Sequence, residues 1–252
     1  MRQNAVMGDS FDDLLNDLVA EYDHLEAILT GLDAGQWSAA SGVPGWTVRD
    51  VVTHLAQTEE GVTRSLAAPV GEWTTRDRSL DEVIDAQVRA DDTPAGEVFE
   101  RWRAARRASV VALAHADPTV AVRWAAAPLR PRTLATTRLA EHWAHALDIC
   151  DPLGLPLADT DRLRHIAWLG HATLPYAMGL AGLDPVEVRC TLDAPSGAVW
   201  TYGPTDASAR ITGSAGAFCR VGARRLASVD SGLAVSGPSA AQALSVLRNY
   251  AA

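Results

Sequence analysis

Cysteine is scarce in this chain. Cys150, Cys190 and Cys219 are odd in number and widely spaced, and no C-x-x-C occurs. That excludes a disulfide framework and a cysteine zinc site, and leaves reduced, buried thiols as the expectation. A second absence is that of any uninterrupted apolar stretch of the roughly 18 residues that a membrane span needs. The opening MRQNAVMGDSFDDLL lacks the apolar core of a signal peptide. A cytoplasmic protein with no membrane partner is therefore expected. Positive charge is not in surplus either: the formal net charge is −9, which argues against nucleic acid, because phosphates want a basic face. No phosphate-cradling glycine loop or dinucleotide fingerprint is present, so nucleotides are not indicated. Internal repeats and low-complexity segments are also missing.

What is present is ordinary for a folded protein: 252 residues, 48% hydrophobic and 21% charged, enough for one large domain or two modest ones. From Phe11 to Leu32 the apolar residues recur at three- and four-residue spacing, with Ser10 and Asp13 as a capping box. GVPGW (Gly42 to Trp46) is turn chemistry, and a second helix should begin after Thr47, its N-cap, with Asp50 three residues on. Pro69 and Gly71 mark a loop, followed by helical stretches from Ser79 to Arg89 and from Pro94 to His115. Asp117-Pro118 and Pro128 to Pro131 are breaks; Thr133 to Cys150 is a helix stopped by Asp151-Pro152, and one more helix spans about Thr160 to Leu180. This is a helical bundle over residues 1–184. After about residue 185 short β-branched and aromatic segments take over: VEVRCTL, AVWTYG, SARITG and LAVSG as strands, APSG as a hairpin turn, and helices at Gly213 to Ala223 and Ser239 to Tyr250. The expected fold class is α+β, a four-helix bundle followed by a small α+β domain over 185–252.

The sharpest chemical signal is LAEHWAHALD, Leu139 to Asp148. Four residues apart on a helix, Glu141 and His145 stack on one face and can meet one ion. A third ligand has to come from another helix. His54, beside the inward Val51 and Leu55, is the best candidate, and His142 is a rival whose position turns it to a different face. Two imidazoles and a carboxylate leave positions open, the pattern of a catalytic ion, and suit zinc, nickel, manganese or iron. The same residues also suit a metal-free reading, with His54 a hydrogen-bonded core histidine and Glu141 with His145 an ordinary helical pair. Asp148 and Asp50 stand where they could orient an imidazole. Arg220, Arg224 and Arg225 could meet a substrate anion, with a solvated helix face as the alternative. Trp46 and Trp143 are expected in the core.

PGWTVRDVVTHLA (Pro44 to Ala56), followed by the E-x-x-x-H helix and its trailing Asp148, resembles the mycothiol-dependent maleylpyruvate isomerase family, part of the DinB-like group of metal-binding four-helix bundles. APSGAVWTYGP, FCRVGARR and the SGP turn before the last helix resemble the actinobacterial branch, in which a small sterol-carrier-like α+β domain follows the bundle. The resemblance implies a divalent metal, usually zinc, on His54, Glu141 and His145. It also implies thiol-dependent isomerisation or thiol transfer, with mycothiol as co-substrate and a small electrophilic molecule as substrate. A thiol that adds to a conjugated double bond, permits rotation and leaves makes an isomerase; one that stays makes a transferase. Rival readings are a metal-assisted cyclase, lyase or hydratase, and a non-catalytic small-molecule or lipid-binding protein with a structural metal. A monomer or homodimer is expected.

Overall fold

The computed structural model describes residues 10–68, 79–124 and 127–250; the loop expected at Pro69 and Gly71 lies outside them. The chain divides into two compact units, Phe11–Leu157 and a second that begins at Ala158. The first holds α1 (Phe11–Thr30), α2 (Ala34–Ser38), α3 (Val48–Ala67), α4 (Leu80–Arg89), α5 (Ala95–His115) and α6 (Pro131–Leu153). α1, α3, α5 and α6 are the four long members of a bundle: α3 packs on α5 and α6, α1 on α5 and α6, and α4 lies on α3.

Several starts follow the expected local chemistry. Thr47 accepts from the Asp50 amide while Asp50 reaches back to the Thr47 amide, and Ser79 and Glu82 do the same for α4. In the turn before α3, Gly45 sits at φ +79°, where an L side chain would be strained. α6 differs from expectation at both ends. It begins at Pro131, where the ring's fixed φ suits a first helical turn and the missing N–H has no partner to lose. It then runs past Asp151-Pro152, where Gly42 gives the Asp148 carbonyl the donor that proline lacks, and stops at the left-handed Gly154, φ +65°. Val51, Val52, Leu55, Trp102 and Ile149 form part of the bundle core.

The second unit holds α7 (Leu163–Leu180), β1 (Val188–Asp193), β2 (Val199–Tyr202), β3 (Ala209–Ser214), α8 (Ala215–Gly222), β4 (Ala234–Ser236) and α9 (Ala240–Val246). The sheet order is β2-β1-β3-β4. β1 pairs antiparallel with β2 and parallel with β3, and β3 pairs antiparallel with β4. Val188, Cys190 and Leu192 alternate into the interior along β1, as a half-buried strand requires. α7 goes with the second unit, which begins at Ala158. The reason is that α7 packs on α8, α9 and β2, with Gly170 lying close enough to Phe218 that a Cβ there would stand 3.2 Å from its ring. The last helix is shorter than expected and ends at Val246. Among the described residues no helix is long and apolar enough to cross a membrane.

A candidate metal centre

Two facing helices bring the chemistry together. The cap at Thr47 fixes the start of α3, which turns Val51, His54 and Leu55 to the bundle interior, where all three are buried. α6 supplies Arg138, Glu141, His142, His145 and Asp148. His54 Nε2 lies 2.8 Å from Glu141 Oε1, and His145 Nε2 lies 3.5 Å from the same oxygen. One ligand atom from each of the three gathers within 4.8 Å. Ligands held 2.0–2.1 Å from one tetrahedral ion stand roughly 3.3 Å apart, so the set fits a divalent metal with little adjustment.

The surroundings tune these three groups. His145 Nδ1 lies 2.8 Å from Asp148 Oδ2. With Nδ1–H donated to that carboxylate, Nε2 is the nitrogen that faces Glu141. Burial works against a charged His145, but the hydrogen bonds it donates to Asp148 and Glu141 outweigh burial and raise the imidazole to about 9. Burial pushes His54 the other way, below its ordinary value. Burial alone would raise Glu141; its hydrogen bonds to His145 and His54, with the charge of Arg138, hold the carboxyl well below the usual range. Trp46 packs over His54 with ring centres 5.4 Å apart and anchors its own indole N–H on Asp85 at 2.8 Å. Gly42 donates its amide to the Asp148 carbonyl at 2.7 Å, and a Cβ at Gly42 would stand 3.0 Å from Asp148 Cα and Oδ1. The GVPGW turn therefore abuts the carboxylate that orients His145.

His142, the rival ligand, is occupied elsewhere. The Trp102 indole N–H donates to His142 Nε2 at 3.1 Å, so Nε2 is unprotonated and Nδ1–H donates to the Arg138 carbonyl at 2.9 Å. Asp50 does not reach His54: it caps α3 and pairs with Arg49 at 2.7 Å. Trp46 and Trp143 are buried, as expected. Arg220 and Arg225 belong to the second unit, where Arg220 binds Asp159 at 2.7 Å and Arg225 donates to the Ala223 carbonyl at 2.6 Å. The three thiols are buried and unpaired. Burial lifts Cys150 to about 11 and Cys190 to about 12, and raises Cys219 as well, so none is an activated nucleophile.

Sequence reasoning passed over Glu59 and Arg138, which form a buried ion pair of 2.8 Å between α3 and α6. Arg138 also donates to Thr58 Oγ1 at 2.9 Å and lies 5.3 Å from the centre of the Trp124 ring. The signal was there: Arg138 precedes Glu141 by one helical turn, which places a guanidinium on the same inward face. A cleft of about 510 Å³ opens from His54 between α3, α4 and α5, lined also by Gln57, Glu60, Asp91, Asp92 and Arg101.

Two histidines and a glutamate gathered from facing helices of a four-helix bundle could hold a metal ion, a placement that bundle proteins use for such sites. Residues 18–150, more than half of the chain, match the family described as the mycothiol maleylpyruvate isomerase N-terminal domain, and the chain belongs to that family. It is 33% identical over 245 residues to an uncharacterised protein of Mycobacterium tuberculosis, found in strains CDC 1551 and H37Rv, across 93% of this chain and 94% of the relative. In structure it is similar to the mycothiol-dependent maleylpyruvate isomerase, with a TM-score of 0.59 at 15% identity, and to a histidine-to-alanine mutant of that enzyme, with a TM-score of 0.60 at 16% identity. Both alignments cover 94% of this chain and 99% of the other. At that identity the likeness establishes the fold.

Proposed function

We propose that this protein is a metal-dependent enzyme acting on a small electrophilic organic substrate with the help of a thiol, as an isomerase or an S-transferase. The observation that carries the reading is the convergence of His54, Glu141 and His145 within 4.8 Å, with Asp148 behind His145. Two imidazoles and one carboxylate leave room for an exogenous ligand, and they suit zinc first among the divalent ions. A bound ion would hold a thiol as thiolate near neutral pH and polarise a substrate carbonyl. The chain's own residues do the rest. His54 and His145 present imidazole nitrogens, Asp148 fixes the orientation of His145, and Glu141 supplies the anionic ligand between them. Trp46 and the valines of α3 keep bulk water from the inner side of the site.

Burial raises all three cysteines above their ordinary range, which favours a thiol from outside the protein. Mycothiol, which the matched family's description names, is the leading co-substrate.

Elemental analysis of protein purified without chelators tests the reading, with wild type beside His54→Ala and His145→Ala. About one equivalent of metal in wild type, lost in both variants, is expected, with mycothiol-dependent turnover of an electrophile following the metal. A metal-free wild type would sink the proposal.

A further inference from the structure

The turn from Gly42 to Trp46 supplies no candidate ligand, yet it reaches both histidines of the centre. Trp46 packs on the His54 ring, and Gly42 abuts the carboxylate behind His145. The two histidines are held in different ways. His145 is oriented by the hydrogen bond between Nδ1 and Asp148, the support that a ligating imidazole ordinarily has. His54 meets Glu141 through Nε2 and forms no hydrogen bond through Nδ1 to any described residue. Its ring packs instead against His145, with centres 5.0 Å apart, and against the Trp46 indole at 5.4 Å, tilted by 52°. Without a bond behind it, His54 depends on that packing for its orientation.

Trp46 in turn is fixed by a third element. Its indole is buried, with the residue 7% exposed, and a buried N–H has to find an acceptor. The acceptor is Asp85 of α4, at 2.8 Å. Arg89, one helical turn on, donates from Nε to both Asp85 oxygens, at 2.9 and 2.8 Å. Its guanidinium also lies against the turn, since a Cβ on Gly45 would stand 2.9 Å from Nη2. As a helical ion pair with side chains 55% and 44% exposed, Arg89 and Asp85 add little to the stability of α4. Their placement matters more: Arg89 steadies the carboxylate that holds the indole.

We infer that Asp85 is a positioning residue for the histidine–glutamate centre: by accepting from the Trp46 indole it fixes the ring that packs on His54, and so keeps His54 Nε2 aimed at Glu141. α4 carries none of the three candidate ligands, and it sets the geometry of the centre from outside α3 and α6. The inference rests on the metal reading above and adds to it a residue beyond the ligand set.

The first readout needs no metal. Imidazole NMR of the full chain follows the His54 ring signals in wild type, Asp85→Ala, Asp85→Asn and Trp46→Phe. Asp85→Ala removes the acceptor and Trp46→Phe removes the donor while keeping an aromatic ring, so both should move the His54 signals. Asp85→Asn retains an oxygen that can accept from the indole and should stay close to wild type, although it loses the ion pair with Arg89. Zinc affinity, measured by competition with a chromophoric chelator, should fall about tenfold in Asp85→Ala and in Trp46→Phe. The double variant should fall no further, because both changes break the same bond. The visible absorption of bound cobalt(II) should change in the same proteins. Unmoved His54 signals in Asp85→Ala, or an Asp85→Asn protein that behaves as Asp85→Ala does, overturn the inference. A wild type that takes up no metal removes the metal reading instead, and the NMR comparison on that protein still decides whether Asp85 sets His54.

Discussion

His142 and His145 lie within one turn of the same helix and have opposite fates. His145 stands against two carboxylates, Glu141 and Asp148, and is raised to about 9. His142 is fully buried, accepts from Trp102 and packs edge-on against Tyr22 with ring centres 4.4 Å apart. Burial lowers it to about 4 in spite of the nearby Glu59. The sign of its linkage to stability follows. An unfolded histidine takes up a proton near 6.5 and the folded one only near 4, so the contribution of His142 is complete above 6.5 and is lost as pH falls towards 4. The full loss is on the order of 3 kcal/mol. Urea midpoints of wild type should fall across that window, and those of His142→Gln should fall less, since glutamine can accept from Trp102 without titrating. Parallel profiles for the two proteins would show that other groups govern the acid limb.

At the scale of elements, α3 and α6 meet in two layers. One is the histidine–glutamate cluster; the other is the ion pair Glu59–Arg138, in which the two side chains are 0% and 3% exposed. Two charges withdrawn from water are tolerable only together, since each loses its hydration and regains it from its partner. Arg138→Met strands the Glu59 carboxylate and should cost about 3–5 kcal/mol, measured by chemical denaturation. Glu59→Leu combined with Arg138→Met should recover most of that loss, because the isolated charge is then gone. Equal destabilisation in the single and double variants would mean that shape, not charge, is what the pair contributes. The register of these helices was legible where local chemistry sets it: Thr47 with Asp50 and Ser79 with Glu82 announce their capping boxes in sequence. The ends of α6 were less so, because a proline at either end of a helix is compatible with stopping or continuing, and packing decides.

For the whole molecule, a ligand that binds only the folded state stabilises it by mass action. Zinc at a hundred times its dissociation constant should stabilise the wild type by about 2.7 kcal/mol, seen as a rise in thermal midpoint that a chelator reverses and that His54→Ala lacks. An unchanged midpoint would place the histidine cluster among purely structural hydrogen bonds.

The sequence by itself determined the class of this protein and the makings of its site. Helical period, capping residues and the switch to short β-branched segments defined a bundle followed by a small sheet. The four-residue spacing of Glu141 and His145 put a carboxylate and an imidazole on one helix face, because that spacing is a property of the helix itself. Tertiary structure decided what spacing does not carry. It brought His54 to the Glu141 carboxylate and His142 to the Trp102 indole, two imidazoles on inward faces whose partners only packing could assign. It assigned Asp148 to His145 and Asp50 to a cap, paired Glu59 with Arg138, and placed α7 with the sheet. Each of these depends on which side chains far apart in the chain come within hydrogen-bonding reach, and that is fixed only when the helices pack.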